Sequence, residues 1–418
     1  MKRLLVPYDK GAVHPAEIAR ALGDTAELVF GIPDSEHAKR LEPVMAAFGR
    51  TMPFTHHRET DRLAAEAQGV HGIVAFSELM VRSAGRLAAD LGLPGPGVAA
   101  AEAVTDKERQ RALLRAASVE TTRSAALADL DGWDAALSVV GLPAVLKPAR
   151  GGGSRQTHLV TDREAGRRLW ARVCGDGELF VLEEFLHGAD SGPFGDYVSV
   201  ESLVLDGIPH HFALTGKFPL AEPFREVGQF WPAALPADQV NVAFDLTTAA
   251  LKALGFGTGV THTELKLTPD GPRIIEVNGR LGGHIGELSR RAAGLDAVRL
   301  AGLTALGEAR EPKRVADSGR VFWQYNNPAP REACRLTAIS GWREVLEIEG
   351  VSGFTPYLRA GAAVPGGVMT DPLDLLAGDA ADHDDMFDQL REAGRRLSYS
   401  FAFADGDRII PMKALADA

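Results

Sequence analysis

The chain predicts an α/β fold assembled from several subdomains, and three observations carry that expectation. Residues 1–93 alternate short apolar runs (Arg3–Val6, Leu28–Phe30 and Gly72–Phe76) with Ala- and Leu-rich amphipathic stretches, the pattern of a parallel sheet covered by helices. Residues 261–280, THTELKLTPDGPRIIEVNGR, read as two strands folded back on a Pro-Asp-Gly turn, which is an antiparallel arrangement. The length of 418 residues exceeds one ordinary hydrophobic core and calls for roughly two to four domains or subdomains.

The elements follow in order. After the first α/β stretch, Leu93–Gly97 reads LPGPG, a rigid turn-rich boundary. Residues 100–140 read as helices that end at Gly141-Leu142-Pro143. Ala144–Lys147 reads as a strand, followed by a glycine-rich loop, a second strand at Thr157–Val160 and a third at Glu178–Phe185 that runs into Leu186-His187-Gly188. Tyr197–Leu205 and His210–Thr215 form a hairpin around Asp206-Gly207, a strong turn signal. Val240–Leu254 is a helix closed by Gly255, since glycine adopts the left-handed geometry that ends helices. Beyond residue 300 the pattern is mixed, with Arg320–Tyr325 strand-like and Asp384–Arg396 helical. Ala377–His383, rich in Ala, Gly and Asp, is expected to be a mobile loop. No internal repeat or low-complexity tract stands out.

Composition excludes several function classes. Hydrophobic residues make up 45% and charged residues 24%, an ordinary globular mixture. The net charge of −11 argues against a general nucleic-acid or anionic-membrane binder, so an anionic ligand must be held by local lysines, arginines and metal. The two cysteines, Cys174 and Cys334, lie far apart with no CxxC or Cys/His cluster, which indicates neither a zinc site nor a disulfide framework. MKRLLVPYDKG is expected to be a first strand rather than a signal peptide. No apolar stretch is long enough to span a bilayer, and a soluble cytoplasmic protein is expected. No GxGxxG follows the first strand, so a dinucleotide site is not supported.

The chemistry concentrates in a few motifs. Side chains alternate along a strand, so Glu264 and Lys266 share one face of the first strand, and Glu276, Asn278 and Arg280 likewise share one face of the second. With Thr268–Pro272 as a five-residue loop, Leu267 pairs with Arg273 and Glu264 lies opposite Glu276. Cross-strand partners sit roughly 5 Å apart, and like charges placed so are destabilising. Two carboxylates and a carboxamide on one face therefore call for a hard cation. Magnesium, held by one or two carboxylates together with nucleotide phosphates, is the usual occupant. The alternative is a solvated hairpin whose acids face water.

The segment KPARGGGS places Lys147 at a strand end before Gly151, Gly152, Gly153 and Ser154. Consecutive glycines let backbone N–H groups converge on an anion, although a glycine-rich turn also needs no ligand. It is not a GxxxxGK[ST] loop. LEEFLHG carries Glu183 and Glu184 on a strand leading to an extended hinge at Phe185 and Leu186; such a hinge offers backbone groups to a flat base, or is a solvated edge. TDKERQR reads as a helix start with Asp106 near the cap and Lys107 in the first turn.

The order of these pieces is informative: helix-start lysine, strand lysine with glycine loop, Glu-Glu hinge, then an acidic hairpin ending in Glu-x-Asn-x-Arg. In this order the chain resembles the ATP-grasp superfamily and, within it, the carboxylate–amine ligases, most nearly the L-amino acid ligases that make dipeptides. The resemblance runs from the N-terminal α/β domain to beyond residue 300 and includes THTELKL, IIEVNGR and PFREVGQFWPAAL.

The resemblance implies an ATP-grasp fold in four parts. These are a Rossmann-like parallel α/β domain (residues 1–95), a helical linker and lid subdomain with the glycine loop (96–183), a catalytic subdomain (184–300) and a C-terminal antiparallel α+β subdomain (301–418). It implies that Lys107 and Lys147 contact ATP phosphates and that Gly151, Gly152, Gly153 and Ser154 close over the triphosphate. Glu183, Glu184, Phe185 and Leu186 would hold adenine. Glu264, Glu276 and Asn278 would bind magnesium, or manganese in its place. Arg280 would stabilise charge on the transferring group, alongside Lys147 and Glu276 as catalytic residues. Glu226 falls where dipeptide ligases recognise an amino group. Gln229 stands where the family commonly has histidine, and glutamine can hydrogen-bond without becoming a cation.

The implied reaction is ATP-dependent amide formation between two amino acids or similar substrates through an acyl phosphate, releasing ADP and phosphate. The implied partners are small carboxylate and amine substrates, with neither nucleic acid nor membrane, in a protein whose size fits a homodimer. Two rivals accompany this reading: an ATP-grasp carboxylase activating bicarbonate, and an inactive nucleotide-binding regulatory module.

Overall fold

Four β-sheets organise the chain in the computed structural model, which describes residues 1–175 and 177–418. The N-terminal sheet contains Lys2–Pro7, Ala26–Ile32, Arg50–Pro53 and Gly72–Ile73, all parallel, with the first strand between the second and the fourth. Leu4, Leu5, Val6, Val29 and Phe30 are fully buried, as expected of parallel strands covered on both faces. The edge strand Arg50–Pro53 buries only Met52 and leaves no apolar run to read.

The second sheet is antiparallel, in the order Ser124–Leu127, Phe180–Glu184, Ala144–Pro148, His158–Val160. Trp133 and Trp170, from the helices Trp133–Val140 and Arg163–Val173, close its core. Residues 100–140 were expected to be helical throughout. The helices Val98–Ala103, Lys107–Ala116 and Trp133–Val140 agree, but Ser124–Leu127 is a strand. The sequence SAAL has no strand propensity of its own, and pairing with Phe180–Glu184 decides its conformation.

The largest sheet has eight antiparallel strands, in the order Gly271–Asn278, Gly259–Thr268, Tyr197–Leu205, Ile208–Lys217, Gly228–Trp231, Val321–Pro328, Pro372–Ala380, Val351–Pro356. Strands on both sides of residue 300 thus share one sheet. Val198, Val200, Leu265, Ile274 and Val277 form an apolar back face against Ala243, Phe244, Ala250 and Leu251 of the helix Ala237–Ala253. The opposite face carries the polar residues at the hairpin end, while Leu203 and Val260 on that face join the apolar core of the N-terminal sheet. A fourth small sheet, Ala363–Val364, Cys334–Ser340, Ser398–Phe403 and Gly406–Pro411, packs with the helix His383–Arg396.

Two expectations are corrected here. Ala377–His383 is not a mobile loop: Ala377–Ala380 ends a strand held between two neighbours, and Asp382 caps the following helix. Its small residues answer to packing, because a Cβ on Gly378 would stand 2.3 Å from Cζ2 of the buried Trp323. In the acidic hairpin, Leu267 pairs with Pro272 rather than Arg273, because the turn is tight and Thr268 pairs with Gly271. A β-bulge at Ile275 then absorbs one residue, so Glu264 still faces Glu276.

Candidate active site

Cross-strand partners share a face, so the register of the eight-stranded sheet arranges the polar residues in rows. One row runs Asn278, His262, Glu201. The next runs Glu276, Glu264, Ser199, Thr215. A third begins with Lys266 and Tyr197 and continues through Lys217, Gln229 and Gln324. The opposed acids of the hairpin are therefore the edge of a charged surface that continues across four further strands, from Tyr197–Leu205 to Val321–Pro328.

Each acid has its own cation. Glu276 lies 3.1 Å from Lys107 Nζ, and the same ammonium donates to the Gly151 carbonyl at 2.7 Å. Lys107 is fixed by position: it opens the Lys107–Ala116 helix after the Asp106 cap, and its backbone N–H donates to the Ala149 carbonyl. Glu264 sits 3.5 Å from His262 Nε2 and accepts from Asn278 Nδ2 at 3.4 Å. Burial pushes its carboxyl up, but the hydrogen bond and charge of His262, with Lys217 and Arg280, prevail and hold it well below the usual range. His262 donates through Nδ1 to Glu201, 2.9 Å away. Burial lowers its pKa, yet the Glu201 carboxylate outweighs burial and raises it to about 9.

Glutamates 183 and 184 face different partners. Glu183 is buried in a two-pronged pair with Arg111, 3.0 Å on each prong, and lies 2.8 Å from Lys147. Burial alone would raise its pKa, but Arg111 and Lys147 bring it down to about 2. Its carboxylate thus positions Lys147 and Arg111. Glu184 pairs with Arg123 at 2.8 Å. The Phe185 ring meets His187 edge-on and lies 6.4 Å from Phe224, with Lys266 Nζ 5.9 Å from its centroid, and Leu186 follows half-buried.

The glycine loop is held above the charged surface. Gly151 and Gly153 take positive φ, as do Ser154 and Gln156. The Gly153 carbonyl accepts from Thr370 N at 2.7 Å, Gln156 N donates to Val368 O at 2.9 Å, and Ser154 Oγ donates to Phe224 O at 2.6 Å. Gly152 lies over Arg280, where an added Cβ would stand 3.6 Å from a guanidinium nitrogen. Arg280 donates from Nε to Glu78 Oε2 at 3.0 Å, and from its terminal nitrogens to Asn278 Oδ1 and Leu281 O. Burial raises the Glu78 pKa despite the guanidinium beside it.

Glu226 and Gln229 meet at Lys217. The Lys217 ammonium, almost fully buried, lies 3.5 Å from Glu226 Oε2 and donates to Gln229 Oε1 at 3.2 Å. Gln229 donates in turn to Gly283 O and Gln324 Oε1. The Glu226 backbone N–H donates to Thr370 Oγ1, the residue that also holds Gly153. The adjacent Arg225 does not pair with Glu226; its guanidinium serves the carbonyls of Glu222, Ala329 and Ala416.

Sequence reasoning missed Lys217, Glu201 and Glu78 and gave His262 no role. Two of them had a signal: Lys217 ends IPHHFALTGK and Glu201 interrupts YVSVESLVL, each a charge in a largely apolar strand. Glu264, Glu276 and Asn278 offer only oxygen donors, which suit a hard divalent cation. Among the described residues no three His, Cys, Asp or Glu side chains converge as a metal cluster. An ion here would take two carboxylates and complete its shell with other oxygens.

No family model matches the chain. D-alanine–D-alanine ligase of Aromatoleum aromaticum is 30% identical over 224 residues, which cover 52% of this chain and 70% of that protein. Alanine–anticapsin ligase of Bacillus subtilis is 29% identical over 255 residues, 56% of this chain and 54% of that one. The chain spans 54% to 66% of the length of the first four curated relatives it matches. Among solved structures, an L-amino acid ligase from Bacillus licheniformis superposes with a TM-score of 0.77 at 21% identity, covering 95% of this chain and 98% of that one.

Proposed function

Because this chain belongs to the carboxylate–amine ligases of the ATP-grasp superfamily, we propose that it joins a carboxylate to an amine at the expense of ATP, giving an amide, ADP and phosphate. The observation that carries this reading is the Lys107 ammonium, which ties the hairpin acid Glu276 to the Gly151 carbonyl. Phosphate-facing loop and acidic hairpin are thereby parts of one site.

ATP-grasp ligases use ATP and a divalent metal ion, and we take the ion here to be magnesium, with manganese as its substitute. Glu264, Glu276 and Asn278 would hold it, and when bound it supplies neutralisation of phosphate charge. Lys107 and Lys147 add positive charge to the phosphates, and Gly151, Gly152, Gly153 and Ser154 present backbone N–H groups over them. Glu183 keeps Lys147 and Arg111 in place, while Glu184, Phe185 and Leu186 flank the base. A substrate carboxylate oxygen bonds to the γ-phosphorus as the bond to the ADP oxygen breaks, with Arg280 opposing the developing negative charge. The amine nitrogen then bonds to the acyl carbon, the amine loses its proton, and phosphate departs with the acyl oxygen. Glu226 would take the ammonium of an amino-acid substrate. The four-part division at residues 95, 183 and 300 is kept as a working description.

ADP release measured with and without a mixture of amino acids tests the reading. Release that depends on amino acids supports it. Release that depends on bicarbonate alone would make the protein a carboxylase, and nucleotide binding without any release would make it a regulatory module.

A further inference from the structure

The Tyr197 hydroxyl is buried without a hydrogen-bond partner, although the residue is almost wholly enclosed. A buried donor left unpaired is costly, and in a native fold it calls for an explanation. Tyr197 lies on the polar face of the sheet, level with Lys266 on one side, and one position past the Val198–Gly216 pair it comes level with Lys217. Lys217 Nζ stands 5.8 Å from the Tyr197 ring centroid. Burial, with the charges of Glu226, Glu264 and Asp196, keeps the hydroxyl in its protonated, donating form.

The neighbourhood is therefore two buried donors among acids that already have other work. Glu264 belongs to the hairpin, and Asp196 pairs with Lys266 at 2.6 Å. Glu226 is the acid assigned to a substrate ammonium, and it meets Lys217 at only 3.5 Å. An amino acid carries its ammonium and carboxylate on the same carbon, so a molecule whose ammonium replaces Lys217 at Glu226 brings a carboxylate into reach of the Lys217 ammonium that Glu226 gives up and of Tyr197, whose ring that ammonium faces.

We propose that Tyr197 Oη and Lys217 Nζ form the seat for the α-carboxylate of the amino acid that the enzyme activates. The inference rests on the ligase reading and deepens it: the substrate is read as a zwitterion, its two charges exchanging partners with the Lys217–Glu226 pair. In the free protein that pair satisfies itself; in the complex Glu226 faces the ammonium while Lys217 and Tyr197 face one carboxylate oxygen. The other oxygen is left to attack phosphorus. A carboxylic acid without an amino group would leave Glu226 and Lys217 paired, and would be a poor substrate.

The test uses the full chain as wild type, Tyr197→Phe and Lys217→Met, with ADP formation followed against a mixture of the twenty amino acids and separately against ATP. Matching amino alcohols, which keep the ammonium and side chain but lack the carboxylate, serve as competing inhibitors. Tyr197→Phe is expected to raise KM for amino acids about 10-fold or more, the loss of one hydrogen bond to a charged group. KM for ATP and inhibition by the amino alcohols should stay within about twofold, and the melting temperature should not fall, since no hydrogen bond of the free protein is removed. Lys217→Met should show the same selectivity with a larger rise. Wild-type KM for amino acids in Tyr197→Phe overturns the proposal. A rise in KM for ATP alone assigns the donors to the transferred phosphoryl group, and equal loss of amino alcohols and amino acids reduces them to a structural role. Either outcome overturns it too. Wild-type protein that releases no ADP in response to amino acids instead overturns the ligase reading, and the seat falls with it.

Discussion

Glu276 carries two opposing effects in one carboxylate. It faces Glu264 across the hairpin and is also the partner of Lys107 at 3.1 Å. Glu276→Gln removes the repulsion and the attraction together, so its stability is expected within about 1 kcal/mol of wild type by denaturant melts. ADP formation should fall roughly a hundredfold or more, because the negative charge that would hold the phosphates' cation is lost; turnover like wild type would remove Glu276 from the site. Glu226→Ala should raise KM for the amino-bearing substrate about 10- to 100-fold with little change for ATP, measured as initial ADP-release rates. At Gln229 the structure sharpens an expectation. Its side chain accepts from Lys217 and donates to Gly283 O and Gln324 Oε1. Neutral histidine has one acceptor and one donor, so Gln229→His should fold and melt a few degrees lower, with one acceptor unmet. The paired acids were legible because opposed like charges demand an explanation. Lys217 and Glu201 were not, since a single charge in a strand acquires meaning only from the strands beside it.

The glycine loop is the element whose behaviour can be read directly. Four of its residues hold positive φ, and its anchors come from other elements: Thr370, Val368 and Phe224. Limited proteolysis near Arg150 and Arg155 should slow several-fold when a non-hydrolysable ATP analogue is added; equal rates with and without it would make the loop a fixed turn. Elements with their own signal were readable, notably the Tyr197–Leu205 strand and its hairpin partner, which begins at Ile208, and the helix Ala237–Ala253 closed before Gly255. Ser124–Leu127 and Pro372–Ala380 were not. The first owes its conformation to a neighbour, and the second uses Ala and Gly to make room for Trp323.

At the scale of the molecule, the C-terminal segment completes the central sheet, and a buried acid lies at that junction. Asp374 accepts from Tyr399 Oη at 2.6 Å and from Asn327 Nδ2 at 2.7 Å. Burial outweighs both bonds and raises its pKa from 3.8 to about 6. A group raised in the folded state gives its full stabilisation below the unfolded pKa and loses it as pH climbs through the folded one. Wild-type stability should therefore decline between about pH 4 and pH 6 by up to about 3 kcal/mol from this group. Asp374→Asn, whose amide can donate to Tyr399 and accept from Asn327, should melt higher than wild type at pH 7.5 and show no advantage at pH 4. A constant difference across that range would contradict the assignment. The α/β class and the acidic hairpin were evident from periodicity. That strands on either side of residue 300 join one sheet was not, because pairing at long separation leaves no local pattern.

The bulge at Ile275 works as a parity switch. Before it, Ile274 points to the core; after it, Val277 does, three residues on instead of two or four. Arg273 consequently emerges at Glu120, and Glu276 emerges beside Lys107. Were Ile275 paired as a regular strand residue instead of bulged out, it would stand opposite Glu264, and Glu276 would turn into the apolar layer with Val277 out among the lysines. Whether the two acids of this hairpin face each other thus depends on whether a count is odd or even, a property that a list of its residues does not contain.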